Sequence, residues 1–220
     1  MNTSEIIDKV VDAIEDASFT RERILGFVNK GIGRVAAALP VPDLAASAIL
    51  DLVSGQPHII LPENYHSHLF WAHNLSTDRP IEIVSPFTNF LRRFPSATRN
   101  DDVRVICAHG KKLFYQGNVF GAPGDTTLIS VFYHHRPEQL EDGDDIEFLE
   151  ESFVEDLLVN FAAAECYNLI ETGIEGVKVN FNKFMSLYTL AVEDYRAFIG
   201  LPEENPDFVQ QDFSEPDPSV

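Results

Sequence analysis

Cysteine is nearly missing from this chain: Cys107 and Cys166 are the two it has in 220 residues. Two cysteines build neither a disulfide framework nor a cysteine-rich zinc site, and a reducing compartment is the simplest reading. Long apolar runs are missing too. None approaches the ~20 residues a helix needs to span a bilayer, which excludes a transmembrane-helix protein. The opening MNTSEIIDKVVDAIED is acidic and amphipathic. It has neither the basic and apolar regions of a secretory signal nor the Arg-rich, acid-poor character of a transit peptide, so no targeting segment is expected. Basic residues are scarce against their opposites, with 16 Lys and Arg facing 35 Asp and Glu for a formal charge of −19. Phosphate-backbone binding draws its affinity from Lys and Arg that displace counterions, and this chain has the opposite field. A protein that grips nucleic acid or an anionic membrane is therefore disfavoured, whereas one that sits beside DNA without sticking to it is not.

What the chain does have is ordinary globular material, 45% hydrophobic and 23% charged, enough for one well-filled domain or one domain with an insertion. A helix is expected from about Ser4 to Asp16, with Thr3 or Ser4 as N-cap and Ile6, Ile7, Val10, Val11 and Ile14 as its apolar stripe. A second starts after Thr20, carries Ile24, Phe27, Val28, Ile32, Val35 and Leu39 at helical spacing, and stops at Pro40 and Pro42. From 45 to 137 the pattern turns β-rich. Residues 49–53 and 58–61 read as two strands around the Ser54-Gly55-Gln56-Pro57 turn. Further strands are expected at 67–73, 81–84, 103–108, 112–116 and 126–134, with His109-Gly110-Lys111 a tight turn and Phe87–Phe94 a short helix. Helical spacing returns at Ser152, where Ser152 and Glu155 suggest a capping box, and runs to about Ile170. A last helix from Val177 ends at Gly200-Leu201-Pro202. The fold expected is α+β: a mainly helical bundle of residues 1–44 and 150–200, a β-rich insertion at 45–137, an acidic linker at 138–149 and an extended C-terminal arm at 201–220.

Two stretches are almost pure negative charge. Glu138–Asp156 holds ten carboxylates and no basic residue, and Pro202–Val220 holds six carboxylates and four prolines. The second lacks the apolar area to order itself and reads as an arm; Phe208 and Phe213, spaced along it, are candidate anchors that would order it on a partner. No catalytic constellation emerges. His66 and His68 flank Ser67 and would share a strand face, with His73 near, but metal ligation needs a third ligand and a closed geometry that the sequence does not display. His134 and His135 would point to opposite faces. Asp142, Asp144, Asp145 and Glu147 lack the spacing of a calcium loop. Gly31-Ile32-Gly33 falls inside a helix rather than after a strand, so it is no dinucleotide fingerprint. Cys107, within VRVICAH, reads as an inert buried thiol. No metal, cofactor or catalytic residue is expected.

The order of parts is nonetheless distinctive. A short N-terminal helix precedes FTRERILGFVNKGIGRVA (Phe19–Ala36), then HIILPENY (His58–Tyr65), a strand at Leu128–Tyr133, an acidic linker and a closing helix from Ser152. This resembles the head–tail adaptor proteins of tailed bacteriophages, the gatekeeper or tail-tubular-protein-A-like rings beneath the portal. There a helix of pattern L-x-x-x-x-N-x-A, here Ile24–Ile32 around Asn29, precedes an apolar strand ending in Leu-Pro, here Leu61-Pro62. Gly31 replaces the usual small residue after Asn-x, and the stretch Phe87–Thr126 exceeds what a minimal adaptor needs, fitting the larger podovirus-like members. The resemblance implies a non-enzymatic virion protein at the head–tail junction, assembled in the host cytoplasm. It implies a dodecameric ring on the portal protein, a platform for a tail or nozzle protein, and a channel through which DNA passes unbound during genome ejection. The arm would grip the portal through Leu201, Phe208, Val209 and Phe213. Two rival readings stand beside it: a metal-dependent enzyme built on His66, His68 and His73, and an acidic DNA mimic that binds a nucleic-acid-handling protein.

Overall fold

The apolar stripes at the two ends of the chain find each other. The computed structural model describes residues 1–16, 18–53, 55–95, 102–116, 126–172 and 178–201. Helix α1 (Thr3–Ile14) buries Ile6, Ile7, Val10 and Ile14 along one side. Its cap is Asn2 rather than Thr3 or Ser4: the Asn2 side chain accepts from the Glu5 N–H while the Glu5 carboxylate accepts from the Asn2 N–H, a reciprocal arrangement that satisfies two otherwise orphaned donors. Helix α2 (Arg21–Ala38) starts on Thr20, whose hydroxyl accepts from the Arg23 N–H, and buries Ile24, Val28, Ile32 and Val35. A 3₁₀ turn, Pro42–Leu44, leads out of the helices.

Among the described residues eight strands follow, β1 (Ala45–Val53), β2 (His58–Ile60), β3 (Tyr65–Asn74), β4 (Arg79–Pro80), β5 (Glu82–Ile83), β6 (Val105–His109), β7 (Lys112–Tyr115) and β8 (Thr126–His135), with helix α3 (Phe87–Arg93) between β5 and β6. They form two four-stranded sheets, ordered β1-β8-β3-β4 and β2-β7-β6-β5. The expected pairing of 49–53 with 58–61 does not form. Strand β1 lies antiparallel to β8, from Ala45 opposite His134 to Val53 opposite Thr126, and β2 lies on β7. The chain turns at Gly55, φ 87°, but crosses from one sheet to the other instead of folding back, because Leu52 and Leu113 both need the space between the sheets. That space holds Leu52, Ala72, Ile129, Val131 and Tyr133 from the first sheet against Ile106, Leu113 and Tyr115 from the second, as face-to-face sheets require. The expected tight turn is present: His109 pairs with Lys112 around Gly110 and Lys111, with Gly110 at φ 58°, a conformation that favours glycine. Helix α3 covers the other face of the second sheet, where Val84, Phe90, Val105 and Cys107 form a small core of their own.

The chain then returns to the bundle. Helix α4 (Glu151–Ile170) is its centre, with Val154, Leu157, Leu158, Phe161, Ala162, Ala163, Ala164 and Cys166 all buried, so it is apolar on nearly every side, as a surrounded helix must be. It packs on α1, α2 and α5 (Val179–Phe198). The Ser152–Glu155 box is not made: α4 starts after Glu150 without a side-chain cap, and Glu155 reaches across to Lys9 of α1 instead. Burial of the bundle side chains, at about 1.5–3 kcal/mol for each large aliphatic, drives this association.

Candidate functional site

Three places carry the residues singled out in the sequence: the root of the C-terminal arm, the acidic return segment, and the histidines of β3 and β8.

At the arm's root, α5 closes with Gly200 at φ 76°. The Gly200 N–H donates to the Ala197 carbonyl at 3.0 Å and the Leu201 N–H to the Arg196 carbonyl at 3.1 Å, the paired bonds of a Schellman stop. Leu201, half-buried, packs on the helical core. Phe208, Val209 and Phe213 lie outside the described residues.

The acidic segment is fastened to the bundle by polar groups of α1 and α2. The Asn29 side chain holds the Leu140 backbone at both ends, donating to its carbonyl and accepting from its N–H, each at 2.9 Å. Thr3, fully buried, gives its hydroxyl proton to the Glu141 carbonyl at 2.7 Å and accepts from the Gly143 N–H at 2.8 Å, while its own N–H donates to the Asp144 carbonyl. Arg21 bridges Asp142 and Asp8, and the Arg21 and Ser4 hydrogen bonds hold the Asp142 carboxyl below its ordinary value. Ile146 and Leu149 enter the helical core. Asp142 thus holds Ser4 and Arg21, and Asp144 accepts from the Glu141 N–H within the loop. Nothing in the sequence marked Leu140 as the mate of Asn29, since the two are 111 residues apart.

The histidines sort differently from their spacing. His73 stacks on Trp71 and faces Asp78 at 3.4 Å, away from any ligand set. His68 is joined instead by His134 of β8, whose ring meets that of His68 edge-on at 5.6 Å, and His66 lies near enough to act on the charge of His68. Sequence spacing alone missed His134, because only the antiparallel lie of β3 on β8 brings it there. Strand β3 is bulged at this point: its register shifts between Tyr65 and Ser67 and again between Ser67 and Trp71, and His68 takes φ 53°. Burial lowers the basicity of all three rings. Among the described residues, no three His, Cys, Asp or Glu side chains stand together as a metal site. Both thiols are buried; burial pushes Cys107 up and Cys166 up to about 12, where thiolate chemistry is suppressed.

Charge is as unevenly placed as these groups. Residues 45–136 carry eight basic and seven acidic side chains, so twenty-eight of the thirty-five carboxylates belong to the helices, the return segment and the arm. Lys9, Arg21 and Lys30 of the bundle are all ion-paired, and the excess there is wholly negative.

No curated protein matches the chain. The family model of the SU10 adaptor protein does, over residues 1–197, from the first helix through nearly all of α5. With the bundle, the β-rich middle and the closing helices all inside that match, the chain belongs to the SU10 adaptor protein family, a family of phage head–tail adaptors.

Proposed function

We propose that this protein is the head-to-tail adaptor of a tailed phage, docking on the portal as a homo-dodecameric ring, prolonging the DNA channel and giving a tail or nozzle protein its platform. The observation that carries this reading is the family match over residues 1–197. The distribution of charge supports it. Carboxylates along a channel wall repel DNA phosphates, so the genome slides during ejection instead of adhering, whereas a basic wall would hold it. The protein acts by assembly, without turnover, at the head–tail junction of the virion after synthesis in the host cytoplasm.

The arm from Leu201 to Val220 is the portal-binding element in this proposal, with Leu201, Phe208, Val209 and Phe213 as its contacts. An acidic segment with few apolar side chains gains order only by burying them on a partner, so free adaptor stays soluble until portals are present. The test is negative-stain imaging of the purified protein mixed with its cognate portal. A ring of added density on the portal's underside is expected. A portal that stays bare with the full-length protein overturns the adaptor reading. Deletion of Pro202–Val220 is expected to abolish docking while the circular dichroism of the helices is unchanged; docking by the truncated protein overturns the arm's role alone.

A further inference from the structure

The helical core and the β-sandwich meet beside the end of α2, and that meeting point is lined with histidine. The Ser67 hydroxyl donates to the Ala36 carbonyl at 3.3 Å, and His68 hydrogen-bonds the backbone of Ala37, so the bulge of β3 is pinned to the last turn of α2. On the other side of His68 stands His134, itself flanked by Phe70 at 5.0 Å. Nε2 of His66, Nε2 of His68 and Nδ1 of His134 are buried without a hydrogen-bond partner. A neutral imidazole tolerates one unpaired acceptor nitrogen at modest cost; a proton placed there needs an acceptor that the site does not offer.

The charged and titratable groups on the elements that meet here deepen the conflict. Strand β3 brings Tyr65, His66 and His68, and β8 brings His134 and His135, followed by Arg136; neither strand carries an acidic residue. Helix α2 contributes Arg34 and the carbonyls of its last turn, one of which already serves His68. The Pro42–Leu44 turn, packed on β8, supplies Asp43, which lines a cavity beside His135 together with Glu138, Asp145 and Glu147 of the return segment. Burial outweighs the hydrogen bond to the His68 backbone that favours a charge on His134, and His68 and His135 act against that charge, as Arg136 does on His66 and His66 on His68.

We propose that His68 and His134, with His66 beside them, form an acid-released joint between the helical bundle and the β-sandwich, closed while the rings are neutral and opened as they take up protons. Burial holds all three below the ordinary imidazole value of 6.5. The opened joint therefore binds more protons than the closed one. Closure is at full strength above about pH 6.5 and weakens progressively as the pH falls below it.

The test uses the full-length protein and does not involve the portal, so its outcome is separate from that of the adaptor proposal. Imidazole NMR titration is combined with amide hydrogen exchange between pH 7.5 and 5.5, corrected for the intrinsic exchange rate. His68 and His134 are expected to titrate below 6.5. Protection of the amides at the end of α2 and in β3 should fall about tenfold per pH unit for each proton taken up, by the linkage slope. Protection in the N-terminal half of α4, away from the joint, should fall less. In His134→Gln the slope should shrink by one proton, and His68→Gln, read in the same way, serves if that variant does not fold. Titration of His68 and His134 at or above 6.5, or joint protection indifferent to pH, overturns the proposal.

Discussion

Asn29 and Gly31, two positions apart on α2, show how much a single side chain carries in this protein. Asn29 satisfies both backbone groups of Leu140. Asn29→Ala would leave that N–H and carbonyl unpaired in a part-buried place, at a cost of about 2 kcal/mol read from the urea midpoint. Gly31 is buried against α4, where an added methyl would stand 2.9 Å from the Phe161 ring and 3.4 Å from Leu158. Gly33, one half-turn on, meets nothing within 4 Å. Gly31→Ala should therefore destabilise by about 1–2 kcal/mol through overpacking, and Gly33→Ala should stabilise by about 0.5–1 kcal/mol through the better helix propensity of alanine. Thermal melts of the two variants, moving in opposite directions, check both. In the sequence, Asn29 and Gly31 stood out as positions of the adaptor-like helix pattern, and Gly31 and Gly33 as a Gly-Ile-Gly inside a helix. It did not say what they touched, because Leu140 and Phe161 arrive from more than a hundred residues away.

At the scale of elements, what is local was readable and what is distant was not. The helices announced themselves through apolar spacing and through Thr20, a cap that depends only on its own next turn. The strands too were visible one by one, as was the β6–β7 turn, fixed by Gly110. Their partners were hidden. Adjacent β1 and β2 looked like a hairpin and belong to different sheets, since a choice of sheet is decided by which apolar face finds cover, not by the turn between. Distant contacts moved the caps as well. Thr3 is spent on the acidic return segment, which leaves the cap to Asn2, and Glu155 is drawn off by Lys9. For the histidines, the pair 66 and 68 was apparent while the third member was not. An antiparallel neighbour supplied His134, and a bulge at His68 changed what simple alternation would give.

For the whole molecule, the two buried thiols report on separate cores. Cys166 lies in the helical core and Cys107 in the small core under α3. Neither should react with a thiol-specific disulfide reagent at pH 8 in the native state, Cys166 least of all with its value near 12. Both should react once urea unfolds the chain, and mass spectrometry of the labelled peptides identifies which core opens first. Labelling of Cys166 in the native state at rates near those of a free thiol would contradict its burial. The likeness to phage adaptors was legible from the order of parts, and the family match bears it out. The two acidic stretches were plain in the sequence, whereas the net value of −19 conceals a nearly neutral middle. Only after the strands are seen to form their own sandwich does the contrast become a property of one body set against another.

The stop at Gly200 and Leu201 has a mechanical consequence. Because the last turn of α5 is closed by its own carbonyls and Leu201 is seated on the helices, the nineteen residues beyond start from a fixed stake. Fully stretched they reach no farther than about 65 Å. In the arm's proposed role, whatever that leash grasps would be kept within a sphere of that radius, at an effective concentration on the order of millimolar. A weak grip repeated by several such leashes on one assembly would then hold as firmly as a strong one made once.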